Sequence, residues 1–194
     1  EETVQSWYEG VKFMIFAIIV LIMAWSLGQT TEILQTAQYL VSILGEFLPV
    51  PLVPTIIFIL SAATAFATGT SWGTMGIFYP IVIPLAWQVL FLNGMADIEH
   101  MYIIYSSVAC VLCGAVWGDH CSPISDTTIM SSMASGCNHI DHVATQFPYA
   151  IIVASIALII GTIPTGYGWS PMIMISVGIV LIWIVIFLFG KRVN

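Results

Sequence analysis

GDHCSPISDTTIMSSMASGCNHIDH, residues 118–142, is the most polar stretch of the chain. It follows an apolar run over 101–117 that reads as a helix. Gly118 suits a helix C-terminus. Pro123 has no N–H, and a proline biases the residue before it, Ser122, away from helical backbone. Ser125, Asp126, Thr127 and Thr128 then offer capping side chains for a new helix through "IMSSM". The pattern predicts a broken helix over 101–135, two half-helices that meet end to end.

Such a break has a chemical use. The first half ends in free carbonyls and partial negative charge, and the second begins with free N–H groups. Carbonyls together with Ser122, Ser125, Thr127 and Thr128 hydroxyls make an oxygen-rich site, which hard cations prefer. Asp126 is the expected exchange carboxylate. Burial raises a carboxyl pKa and a bound cation lowers it, so one group holds either a proton or a sodium ion. Asp119, at the end of the first half-helix, is the second proton-coupling candidate. The plainer alternative is that Asp126 only caps a helix and Asp119 faces water.

The surrounding composition says where this break sits. Of 194 residues, 59% are hydrophobic and 7% charged, with three Lys+Arg and a net charge of −7. So few charges cannot cover a water-soluble surface, and disordered chains are poor in apolar residues. Nucleic-acid binding lacks its basic footprint. No charged residue falls between Lys12 and Glu32, Glu46 and Asp97, Glu99 and Asp119, or Asp141 and Lys191. A membrane-crossing helix needs about 20 mostly apolar residues. These continuous runs predict an all-α, polytopic membrane protein rather than a barrel of alternating strands.

Residues 11–28 read as a spanning helix and 31–48 as an amphipathic one, followed by the stiff connector "PVPLVP". Residues 55–67 form an apolar arm that meets "TGTSWGT" (68–74) before apolar character resumes through 92. An arm of about 13 residues spans about 20 Å, short of a core of about 30 Å. The stretch 55–92 is therefore expected to be a re-entrant helical hairpin, with one kinked pass as the alternative. Its tip supplies Thr68, Thr70, Ser71 and Thr74, and if both polar breaks reach the same depth their hydroxyls can face one cation. Residues 144–163 and 171–190 read as two further spanning helices. Lys191 and Arg192 suggest a cytoplasmic C-terminus. The opening "EETVQSWYEG" has neither Met nor a signal-peptide plan, which reads as a chain cut from a longer one.

The remaining reactive residues carry less. Cys110 and Cys113 lie in an apolar helix, where small packing residues explain the C-x-x-C spacing. "CNHIDH" (137–142) offers zinc-type ligands, but without an H-E-x-x-H or paired C-x-x-C frame. His139 and His142 are better read as a polar cluster at the membrane face, pH-sensing or simply solvated. Ser122 and Ser125 with His120 lack a hydrolase motif, so the chain is not read as an enzyme.

"GAVWGDHCSPISDTTIMSSMASGCNHIDHVATQFPYA" (114–150) resembles the signature of the NhaC family of bacterial Na+/H+ antiporters. "ATGTSWGTMGIFYPI" (67–81) resembles that family's other polar motif, in the expected order. The resemblance extends over about residues 11–190, specific at 114–150 and in character elsewhere. It implies one repeat of an inverted-repeat transporter, the C-terminal half, with an N-terminal repeat as its missing partner. It implies Na+ near Thr70, Ser71, Ser122, Ser125, Asp126 and Thr127, and alternating-access exchange of Na+ for H+ across the bacterial inner membrane. No cofactor beyond the transported ions is expected, and a homodimer is left open. Some relatives exchange malate or lactate together with Na+ and H+, so a carboxylate exchanger is the close alternative.

Overall fold

Two short breaks organise the chain. In the computed structural model, which describes residues 2–35, 39 and 48–190, the order is α1 (Glu2–Ile33), a 3-10 turn (Val50–Leu52), α2 (Val53–Thr68), α3 (Ser71–Leu92), α4 (Met101–Cys121) and α5 (Asp126–Ala134). Then α6 (His139–Ile156) runs on through a π-helical segment (Ala157–Thr162) into a last α turn, α7 (Ile163–Gly166), before α8 (Pro171–Phe189). Among the described residues there is no strand. Among the described residues five stretches are long and apolar enough to cross a membrane: Val50–Thr68, Ser71–Leu92, Met101–Cys121, His139–Gly166 and Pro171–Phe189. The protein is a multi-pass membrane protein.

The helix boundaries have local causes. Pro51 and Pro54 stand second in the 3-10 turn and in α2, within the first turn, where a missing N–H goes unmissed. They let the helix begin at Val50, so the arm is 19 residues, about 28 Å, and not the 13 read from sequence. Shortness therefore does not make this arm re-entrant. α2 stops where Gly69 takes φ +67° and donates its N–H to Ala65 O at 2.8 Å. Thr70 then caps α3, its hydroxyl accepting from the Gly73 N–H at 3.2 Å. α3 continues through Pro80 and Pro84. At the next boundary Asn138 caps α6, accepting from the Ile140 and Asp141 N–H groups.

The sequence-predicted spans shift accordingly. α1 is one helix over Glu2–Ile33, longer than 11–28. Most of the amphipathic stretch 31–48 lies outside the described residues, as do Lys191–Asn194. The helix expected to start near 144 begins at His139 and reaches Gly166, so "HIDH" forms its first turn.

The core is centred on α4. α2 packs along it more closely than along α3, which also leans on α4. Gly114 and Gly118 make that approach possible: a Cβ on Gly114 would sit 2.5 Å from Phe58 O, and one on Gly118 would run into Ala62 O. Four-residue spacing puts both glycines on one face, a small-residue seam of the kind membrane helices use to approach closely. Val53, Ile57, Phe58, Ala62, Ala65, Val111 and Ala115 fill the seam. α4 is thereby packed against α2 to within a turn of its end at Cys121.

Candidate functional site

The break after α4 and the turn between α2 and α3 meet. Gly69 lies so close to the break that a Cβ on it would be 2.8 Å from Ile124 O. Ser122, fully buried, donates its hydroxyl to Phe66 O at 2.7 Å and accepts from Ile124 N–H at 3.3 Å. One serine thus ties the break to the end of α2. This is the juxtaposition of two polar interruptions that the sequence suggested only as a conditional.

The carboxylate at their meeting point is Asp119. It is 7% exposed. Ser125, fully buried, donates to its Oδ1 at 2.8 Å, and Ser71, from the first turn of α3, donates to its Oδ2 at 3.3 Å. Thr127 Oγ1 lies 2.8 Å from Ser125 Oγ. Since Ser125 spends its hydrogen on Asp119, the hydrogen between the two hydroxyls comes from Thr127. A buried carboxylate needs such partners, because an unpaired one is costly in a low-dielectric interior.

Asp126 lies elsewhere. It is the first residue of α5 and is exposed. There a carboxylate is favoured by the helix dipole. Thr70 is exposed and occupied as a cap. Of the sequence-predicted set, the structure brings together Asp119, Ser71, Ser122, Ser125 and Thr127, and leaves Asp126 and Thr70 at the rim. Among the described residues no three His, Cys, Asp or Glu side chains gather as a metal-binding group, so a cation here would rest on one carboxylate, hydroxyls and carbonyls.

The histidines hold the far side of the break. His139 Nε2 lies 2.6 Å from Pro123 O and its Nδ1 3.1 Å from Ser132 Oγ. Its ring therefore bridges the break, α5 and α6. His142 Nε2 lies 3.0 Å from Ser131 Oγ. Below them Thr128 and Gln146 both donate to His120 O, at 3.1 and 2.8 Å, capping carbonyl oxygen at the end of α4.

Sequence reasoning named His139 and His142 on α6 and missed Thr145, Gln146 and Tyr149. His142, Thr145, Gln146 and Tyr149 line a cavity of about 620 Å³ with His120, Thr127, Thr128 and Ser131. The signal was present: positions 142, 145, 146 and 149 share one helical face, a polar stripe on a helix otherwise read as merely spanning.

Comparisons with known proteins show the family of the chain. The family model described as "Na+/H+ antiporter family" matches residues 1–167. The chain belongs to this family. An uncharacterized protein of Haemophilus influenzae is 42% identical over 191 residues, 98% of this chain and 35% of that protein. An uncharacterized Na+/H+ antiporter of the same organism is 30% identical over 106 residues, 53% of this chain and 20% of the relative. The arginine/ornithine antiporter ArcD of Halobacterium salinarum is 29% identical over 149 residues, 77% of this chain and 27% of the relative. The chain thus spans about a third of the length of the first of these curated relatives, and less of the others. No solved structure matches it. The family is described as one of antiporters, a class of transporter.

Proposed function

We propose that the protein exchanges Na+ for H+ across a bacterial plasma membrane by alternating access, and that Asp119 is the exchange carboxylate. One observation carries this. A buried carboxylate has its two oxygens held by hydroxyls from two separate interruptions, Ser125 from the helix break and Ser71 from the α2–α3 turn. Protonated, it fits a low-dielectric site; ionised, it offers Na+ a charged ligand ringed by hydroxyl oxygens. Ion and proton then exclude each other, which is the requirement of an exchanger. Broken helices serve transporters in this way.

In this reading the Gly69 turn lies at membrane depth, tolerated because it packs against protein. The chain acts as the C-terminal repeat of an NhaC-type antiporter, opposed by an N-terminal repeat. His139 and His142 are the pH-responsive contacts, because a gained proton turns an imidazole acceptor into a donor.

The test is transport in proteoliposomes of the full-length protein with an outward Na+ gradient and an internal pH dye. Sodium-dependent internal acidification supports the reading. Acidification that requires added malate or lactate favours the carboxylate exchanger. A response to arginine or ornithine alone places this protein with the ArcD relative instead.

A further inference from the structure

Asp119 does not line the large polar cavity, yet it is connected to it. The connection is two hydroxyls long. Thr127 lines the cavity; its Oγ1 is 2.8 Å from Ser125 Oγ, which is 2.8 Å from Asp119 Oδ1. Ser125 is fully buried and Asp119 nearly so. The chain of donors runs in one direction, from the cavity wall to the carboxylate.

The cavity itself is built to hold water. Each of its lining residues carries a polar group, in a chain that is 59% hydrophobic. Several hydroxyls have already spent their hydrogen on backbone oxygen: Thr128 on His120 O, Thr145 on Asp141 O, Ser131 on Thr128 O. What those hydroxyls have left is oxygen lone pairs, which call for a hydrogen-bond donor. A space of about 620 Å³ with a polar group on every lining residue and unspent acceptors among them has room and partners for water. His120, His142 and Tyr149 are the titratable groups on its wall.

We infer that this cavity is the water-filled proton access chamber of Asp119, and that Thr127 and Ser125 relay protons between them. The inference rests on Asp119 being the exchange carboxylate. Proton uptake balances as follows. Ser125 Oγ–H breaks as Asp119 Oδ1–H forms. Ser125 Oγ takes the Thr127 hydrogen, and Thr127 Oγ1 takes a proton from a cavity hydronium, which leaves as water. Release reverses these steps, and rotation of the hydroxyls resets the chain. Thr127 is on this account a relay and not an ion ligand.

Thr127→Val keeps the shape and removes the hydroxyl; Thr127→Ser returns it. In proteoliposomes Thr127→Val is expected to slow maximal exchange by roughly 100-fold, in the range of a lost proton-transfer group, with half-saturating Na+ unchanged. Thr127→Ser is expected to restore the rate, and exchange by the unmodified protein to slow in D2O. A wild-type rate in Thr127→Val overturns the relay. A parallel loss of Na+ affinity also overturns it, by making Thr127 a ligand. Asp119→Asn is assayed alongside: full exchange in that variant defeats the carboxylate assignment itself, whatever Thr127 does. Should Thr127→Val fail to fold, Thr145→Cys in a cysteine-free background is treated with a water-soluble thiol reagent. Labelling in the folded protein supports the chamber, and its absence contradicts it.

Discussion

α4 and α8 are both apolar enough to cross a membrane, yet they live in different surroundings. Of the apolar window of α4, 44% is buried inside the protein; for α8 the figure is 6%. Hydropathy alone would rank α8 as the better core helix. The difference lies in small residues. α4 carries Gly114 and Gly118, which let α2 approach backbone to backbone, whereas a Cβ on Gly178 of α8 would meet nothing within 4 Å. In a bilayer an apolar side chain gains little by leaving lipid for protein, so close packing and polar contacts decide what is inside. The polar end of α4 is positioned because the helix behind it is clamped.

The largest expected effect breaks that clamp. Gly118→Leu should destabilise the folded protein by about 3 kcal/mol or more, because the new side chain meets the Ala62 backbone. Gly178→Leu should change the thermal midpoint in detergent little. Equal effects at the two glycines would mean the seam does not organise the fold.

The next effect separates the hydroxyls of the two regions. Ser125→Ala removes a donor from buried Asp119 and should cost about 1–3 kcal/mol in stability, with a matching loss of exchange. Ser176 on α8 only donates to its own helix, to Met172 O, and is exposed. Ser176→Ala should therefore be silent in both assays.

A smaller effect sharpens the picture of the seam. Ser61 is fully buried beside Gly114, and its hydroxyl has no partner among the described residues. Ser61→Ala should leave the thermal midpoint unchanged or raise it slightly, since an unsatisfied buried hydroxyl is removed at nearly constant shape. A marked loss would reveal a partner for it.

The smallest effect lies outside the membrane, in the α3–α4 turn. The His100 side chain and N–H both bond Asp97 Oδ1, at 2.7 and 2.9 Å, and the side-chain bond holds the Asp97 carboxyl below its ordinary pKa. A depressed carboxyl pKa stabilises the turn above the unfolded value and loses that contribution as pH falls through the folded one. The protection factor of the His100 amide should fall in acid, and fall without acid in Asp97→Ala, while the clamp around α4 stays protected.

How much of this was legible follows the same division. The break was readable because Pro123 and the Ser-Asp-Thr-Thr run act on local backbone; Gly118, read as the helix end, instead lies inside α4, which runs on to Cys121, and serves its packing against α2. The second interruption was readable too, because Gly69 and Thr70 stop and restart a helix. Which aspartate is buried was not readable. Asp119 and Asp126 flank the same break, and depth depends on which helix is clamped against α2. G-x-x-x-G at 114–118 was the available sign and was passed over as apolar helix. The polar face of α6 was missed likewise, because a 20-residue window averages Thr145, Gln146 and Tyr149 into a spanning segment. The length of the α2 arm was misjudged because prolines read as a connector are the first turns of the helix.

The most direct measurement sets the two aspartates against each other. Sodium-driven proton flux would be followed in proteoliposomes of the full-length protein for Asp119→Asn and Asp126→Asn at matched protein content. The account predicts that Asp119→Asn abolishes Na+/H+ exchange and that Asp126→Asn keeps most of it. Loss in Asp126→Asn with exchange retained in Asp119→Asn would contradict the account and move the exchanged ion to the start of α5.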